Sequence, residues 1–391
     1  MHGRRQKTKV QFIPALIRML VYVTVALLPF FPTHCQSQTR TNPSSFFLGA
    51  DISALDAPAI ARPLPPYQED GKSSDELSIL RRHGWNAFRL RIFVSPVRKA
   101  PNNTLENAIP LAKKIKDWGA ILILDLHFSD TWADPQHQEI PVAWRTMNIS
   151  ALAKQWQSYA RDTVKALKDA GAMPDLVQIG NEITRGTAWP LAQLQIPGSN
   201  QYNPPQPYDS RIQWKNLTRL LKAGIRGVND GAGDTQPRIA IHIDQGGRWN
   251  NTEWFFDRLN AAHVRYDIIA ESFYPPWGHG TLEDLRSNMV HCAEKYPGKQ
   301  FLVMETGYNL SHQADNKDML WPVAPAGRLQ FMVELVNMVR KAPNGLGVVY
   351  WAPERDLWNA DGTPDLAVFT MDRLATLSKR PVSDAPKVVN P

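Results

Sequence analysis

The sequence predicts an α/β chain folded as a single-domain (β/α)8 TIM barrel, and three observations carry that expectation. Short apolar runs alternate with longer stretches of helical periodicity, eight such runs are present, and the residues suited to chemistry gather at their carboxyl ends. The runs lie at 46–51, 87–93, 121–128, 176–182, 238–244, 266–274, 300–308 and 345–351. Several, such as AILILDLHF and GVVYW, are apolar almost throughout. Strands buried on both faces of a parallel sheet have this composition.

Between the runs, SSDELSILRRHG, LENAIPLAKKIKDWG, SALAKQWQSYARDTVKALKDAG and AGRLQFMVELVNMVRKA place apolar residues at helical spacing. Gly84, Gly119 and Gly171 stand where helices stop. The competing architecture, an open doubly wound sheet, needs a glycine-rich phosphate turn after its first strand. The chain has DISALDAPAI there. No internal repeat or long linker interrupts the pattern. The Pro-rich piece 58–66 and the Pro/Gln/Asn-rich piece 196–207 read as long loops of the barrel.

The 391 residues are 43% hydrophobic and 21% charged, which excludes a disordered or disulfide-scaffold chain. Their formal charge of +7 suggests an acidic partner until its position is considered. Arg4, Arg5, Lys7, Lys9 and Arg18 lie in the first 34 residues, which hold no acid, so removing them leaves +2. A basic start followed by an apolar stretch at 19–31 is the layout of an export signal, expected at 1–36, with the catalytic domain at 37–391. The stretch is shorter than the ~20 residues of a membrane span; a retained anchor is the alternative. Secretion or export to a periplasm follows. Cys35 lies in the cleavage zone, and Cys292 reads as a buried, inert thiol. Asn102, Asn148, Asn216, Asn250 and Asn309 head glycosylation sequons.

Functional residues of such a barrel sit at the carboxyl ends of its strands. Arg89 and Arg91 lie there on the second run, Asp125 and His127 on the third, and Asn181 and Glu182 on the fourth. His242 and Asp244 end the fifth, Tyr274 the sixth, Glu305 lies on the seventh and Trp351 ends the eighth. Glu182 in LVQIGNE and Glu305 in FLVMETGY each close an apolar strand, four and seven, on opposite sides of the mouth. Two carboxylates facing across a cleft are the equipment of glycoside hydrolysis. A helix cap or surface ion pair is the alternative for each taken alone. Zinc spacing, a G-x-S-x-G elbow, a P-loop and a basic aromatic patch are absent, which argues against those chemistries and against nucleic acid. Trp132, Trp144, Trp189, Trp277, Trp321 and Trp351 fall in loops or at a strand end, where they either stack on sugar rings or pack loops. Trp85, Trp118 and Trp156 read as core.

The motifs GADIS at 49–53, RLRIF at 89–93, DLHFSDTWADP at 125–135, VQIGNE at 177–182, Trp189-Pro190, IHID at 241–244, FYP at 273–275, VMETGY at 303–308 and VVYW at 348–351 closely resemble glycoside hydrolase family 53. Its members are retaining endo-β-1,4-galactanases with (β/α)8 barrels. The resemblance implies Glu182 as acid/base, Glu305 as nucleophile, Arg89 beneath the nucleophile and Asn181 on the sugar 2-hydroxyl. Tyr274 would orient Glu305, while His127, Asp130 and Trp351 line the cleft. Trp132, Trp189, His242 and Asp244 complete the expected substrate-contacting set. The implied partner is galactan or arabinogalactan, attacked internally in an open groove by a monomer that needs neither nucleic acid nor, after signal removal, a membrane. No cofactor is expected. Some relatives hold a structural calcium after strand eight, where APERDLWNADGTPD shows scattered acids without a ligand pattern. The chain departs from the family's usual pattern in the Pro-rich stretch after strand one, in SFYPPWGHG, and at Ala352, where Glu is common. Another retaining β-glycanase and a non-catalytic carbohydrate-binding barrel are the rival readings.

Overall fold

The computed structural model describes residues 46–55, 67–96, 103–196, 210–308 and 320–378. The expected signal at 1–36 with Cys35, the sequons at Asn102 and Asn309, and loop pieces 58–66 and 197–207 lie outside the described residues.

Eight parallel strands close into a barrel: β1 Phe47–Asp51, β2 Ala87–Ile92, β3 Ile121–Leu126, β4 Leu176–Ile179, β5 Arg238–Ile243, β6 Ile268–Phe273, β7 Gln300–Thr306 and β8 Gly345–Trp351. Neighbours in sequence are neighbours around the ring, and β1 closes it by pairing with both β2 and β8. Each expected run supplies one strand. The fourth ends earlier than its apolar pattern because Gly180, at φ 78°, turns the chain out of the ladder.

The barrel strands are flanked by α1 Glu76–Arg82, α2 Leu105–Asp117, α3 Ile149–Asp169, α4 Ser210–Ala232, α5 Trp249–Ala261, α6 Leu282–Lys295 and α7 Pro325–Lys341; α8 Pro353–Asp356 and α9 Thr370–Ser378 follow β8. Side-chain oxygens of Asp75, Thr104, Asn148 and Thr281 accept backbone N–H groups at the starts of α1, α2, α3 and α6. Such a cap contributes ~1 kcal/mol. Helices α3 and α4 pack closely because α4 carries glycine where they meet. A Cβ on Gly227 would lie 2.2 Å from Gln157 O, and one on Gly231 would lie 2.3 Å from Arg161 O.

The core has two parts. The larger lies between strands and helices and includes Leu90, Leu122, Trp156, Ile241 and Val348; the smaller fills the barrel's lower interior with Phe47, Ala87, Ile123, Leu176, Ala240, Ile268, Ala270, Leu302 and Val349. Two-residue alternation then places polar side chains above those apolar ones: Arg89 over Ala87, Asp125 over Ile123, Gln178 over Leu176, His242 over Ala240 and Ser272 over Ala270. The floor is apolar and the mouth is charged. Trp85 and Trp156 are fully buried, and Cys292 is a buried free thiol whose pKa burial raises. Among the described residues, no helix is long and apolar enough to cross a membrane. Two sequon side chains are already engaged: Asn148 caps α3, and Asn216 Nδ2 donates to Leu191 O at 2.7 Å.

Candidate active site

Glu182 and Glu305 reach the same cavity by two local departures from regular structure. In β7, Leu302 and Met304 both join the barrel interior, so strict alternation would send Glu305 outward. One extra residue enters between Val303 and Thr306 where β7 pairs with β8, and the register with β6 shifts at the same level. This bulge turns Glu305 inward. Glu182 follows Gly180 and adopts a left-handed backbone, φ 46° and ψ 48°, rare for a residue with a Cβ.

The cavity, about 970 Å³, opens at the carboxyl ends of the strands. Glu182, Glu305, Asn181, His127, Trp132, Asp244, Tyr274 and Trp351 all line it. Arg89 lies beneath, with no exposed surface. Its Nη1 donates to Glu305 Oε1 at 2.6 Å, and its Nη2 donates to Asp125 Oδ2 at 2.6 Å and Asn181 Oδ1 at 2.8 Å. Asp51 Oδ2 lies 3.5 Å from its Nε. One guanidinium therefore serves three buried carboxylates, a task suited to its planar fork of donors. His127 Nε2 lies 2.9 Å from Asp125, and its Nδ1 accepts from Ala133 N at 3.2 Å. Together these contacts hold the loop after β3.

The two glutamates have different surroundings. Tyr274 Oη donates to Glu305 Oε2 at 3.1 Å, so both oxygens of Glu305 meet donors. Burial raises the Glu305 pKa and Arg89 opposes the rise. For Glu182 the balance differs: burial, then the Glu305 and Asp244 carboxylates, push its pKa well above the ordinary carboxylate value. Ser272 Oγ lies 2.6 Å from Glu182 Oε1. Arg89 meanwhile holds the buried Asp125 carboxyl far below its usual range, overcoming desolvation. The arrangement thus keeps one glutamate beside a cation and the other in a setting that favours its proton. Environments that separate two carboxyl groups in this way divide acid from base or nucleophile.

Aromatic rings form the walls. Arg91 sits 4.2 Å from the Trp132 ring centre and Arg355 4.9 Å from that of Trp351, and the two indoles meet edge to face at 6.4 Å. Trp277 stands 57% exposed at the rim, tilted over Tyr274. Other expected positions are placed differently. Trp144 and Trp321 are buried, against Tyr159 and between Tyr308 and Phe331 respectively. Trp189 Nε1 donates to Arg185 O, and its ring is not part of the cavity wall. Asp130 is also off the wall: its two oxygens accept from Ser95 N and Val142 N, fixing loop backbone. His242 lies below the surface, between Asn181 Oδ1 and Ser272 Oγ.

Gln178, Ser272 and Gln138 join the site beyond the residues the sequence singles out. Gln178 Nε2 donates to Asp125 Oδ1 and Asn181 Oδ1, both at 2.9 Å, and Gln138 Nε2 donates to Asn181 O at 2.7 Å. The first two were accessible by counting back in steps of two from Tyr274 and Glu182. Gln138 lies in a loop and had no such signal. Thr184 and Asp244 are hydrogen-bonded side chain to side chain, which fixes Asp244 at the wall. Among the described residues, no cluster of three His, Cys, Asp or Glu side chains forms a candidate metal site.

Comparisons with known proteins identify the family. The chain matches the family described as glycosyl hydrolase family 53 over residues 47–373. A protein from the bgaB 5′ region of Niallia circulans is 36% identical over 333 residues, covering 81% of this chain and 86% of its own. A probable arabinogalactan endo-β-1,4-galactanase A of Neosartorya fischeri is 32% identical over 340 residues, covering 84% and 88%. A solved fungal β-1,4-galactanase superposes with a TM-score of 0.73 at 28% identity, covering 84% of this chain and all of that one. With the match spanning every barrel strand, the chain belongs to glycosyl hydrolase family 53 and is a glycoside hydrolase.

Proposed function

We propose that the protein is a secreted endo-β-1,4-galactanase that cleaves galactan side chains of pectin with retention of anomeric configuration. The observation that carries the reading is the unequal pair Glu182 and Glu305 in one aromatic-walled cavity. Glu305, held by Arg89 and Tyr274, attacks the anomeric carbon as a carboxylate. Glu182, kept protonated, gives its proton to the leaving oxygen and then takes one from the water that releases the sugar. Asn181 Oδ1 is occupied beneath the site and its Nδ2 already donates to Ala133 O at 2.7 Å. The second Nδ2 hydrogen remains for the sugar 2-hydroxyl, a bond that strengthens as positive charge develops on the ring. Trp132, Trp277 and Trp351 offer apolar faces to successive sugars. Galactan as substrate is supported by the named activity of the fungal relatives, and export by the basic-then-apolar start of the sequence.

Incubation with β-1,4-galactan, mannan, cellulose and xylan tests the substrate. Reducing ends are expected from galactan first; hydrolysis confined to another polymer refutes the reading. Glu182→Ala and Glu305→Ala should each remove most activity while leaving the circular dichroism of the barrel unchanged.

A further inference from the structure

Below Glu182 runs a chain of hydrogen bonds whose directions follow from atoms with only one available role. Asn181 Oδ1 meets Arg89 Nη2 at 2.8 Å and Gln178 Nε2 at 2.9 Å. A guanidinium only donates, and Asn181 Nδ2 is engaged on its other side with Ala133 O. The atom facing Arg89 is therefore the amide oxygen, an acceptor. His242 Nδ1 reaches the same oxygen at 2.8 Å, so Nδ1 carries a hydrogen.

His242 is completely buried, and burial holds its pKa well below the ordinary histidine value. Arg89 on β2 and His127 after β3 act in the same direction, and Asp125 on β3 opposes them. The ring is neutral, so with Nδ1 protonated its Nε2 is bare. Nε2 lies 2.9 Å from Ser272 Oγ, which must direct its single hydrogen there. Towards Glu182 Oε1, 2.6 Å away, Ser272 is then an acceptor, and the hydrogen between them belongs to Glu182.

We propose that His242, acting through Ser272, is a positioning residue that keeps the proton on Glu182. The proposal rests on the reading of Glu182 as the acid and goes beyond it, since neither His242 nor Ser272 touches the reacting atoms. It gives the second half of the reaction a direction. When Glu182 has passed its proton to the leaving oxygen, its carboxylate and the bare Nε2 compete for one serine hydrogen. Taking a proton from the attacking water restores the match. Glu305 on β7, Asp244 after β5 and Asp134 after β3 also act on Glu182, and Tyr274 and His279 after β6, Arg185 after β4 and His127 after β3 line the same cavity. All of them are untouched by substitutions at Ser272 or His242.

The opposite arrangement, in which Ser272 donates to an ionised Glu182, predicts shifts of opposite sign. Histidine 15N NMR of the full chain near neutral pH should show His242 neutral with hydrogen on Nδ1. Hydrogen on Nε2, or on both nitrogens, overturns the proposal. Glutamate 13C NMR, with Glu182 assigned by its absence in Glu182→Gln, should show the Glu182 pKa falling by roughly 0.5 to 1 unit in Ser272→Ala. A fall is also expected in His242→Ala, which frees the serine hydrogen for the carboxylate, and no shift in Ser272→Thr. A rise in Ser272→Ala overturns the proposal, and that variant removes only one oxygen should His242→Ala fail to fold. These readouts do not depend on catalysis. Full galactan activity in Glu182→Gln would refute the acid assignment separately.

Discussion

Tyr274→Phe removes one hydroxyl from the site and little else. The ring is held independently, tilted against Trp277 with centres 4.3 Å apart and edge-on to His279 at 5.7 Å. The backbone N–H of Tyr274 donates to His279 Nδ1, which the substitution leaves in place. The lost contact is the 3.1 Å donation to Glu305 Oε2. A hydrogen bond to an ionised carboxylate contributes about 1.5–3 kcal/mol, and one pKa unit corresponds to about 1.4 kcal/mol. Because the bond favours the charged form, its loss raises the Glu305 pKa, by about 1–2 units. The acidic limb of the pH profile of kcat/KM on galactan should move up by that amount, while the alkaline limb, assigned to Glu182 under the proposed mechanism, moves far less. Thermal unfolding should confirm that the barrel is intact. An acidic limb that stays in place, or moves down, would refute the claim that Tyr274 and Arg89 together keep Glu305 ionised.

Arg89→Met leaves Asp51, Asp125 and Glu305 as buried carboxylates without their shared cation. Breaking a buried pair from one side costs about 3–5 kcal/mol, so urea unfolding should show a loss of at least that order. A change below about 1 kcal/mol would mean that the guanidinium does not neutralise the mouth. Glu76 gives a pH test remote from the site. It is buried, accepts from Trp358 Nε1 at 3.0 Å, and burial pushes its pKa up to about 7 from 4.5. A raised folded-state value contributes stability that is fully present below the unfolded value and is lost as pH rises through about 7. The loss is about 3 kcal/mol at most between pH 5 and 8. Urea midpoints should therefore fall across this range more steeply in the unaltered protein than in Glu76→Gln. Equal slopes would contradict the assignment.

The barrel was legible because its strands are buried on both faces. That burial makes each strand an almost unbroken apolar run, and the polar exceptions mark the inward-facing upper layer where the ladder ends. The same reasoning carried Arg89, Asp125, His242 and Tyr274 to the mouth. It could not carry Glu305, since the bulge at Met304 breaks the two-residue count on which it depends. Its strand-end position and the VMETGY motif indicate this glutamate instead. Loop residues were less legible because no periodicity fixes where their side chains point. Trp132 and Trp351 face the cavity, while Trp144 and Trp321 turn into the core and Asp130 serves loop backbone. Composition is the same in each case. Only the path of the chain distinguishes them.

The central claim is that Glu305 attacks a galactosyl unit while Glu182 assists, and covalent trapping tests it most directly. A galactobioside with fluorine at C2 of the attacked unit and an activated leaving group should form a glycosyl-enzyme that hydrolyses slowly. Mass spectrometry of the digested protein should then find the added galactobiosyl mass on the peptide containing Glu305. Finding it on a peptide containing Glu182, or on any other residue, would contradict the account.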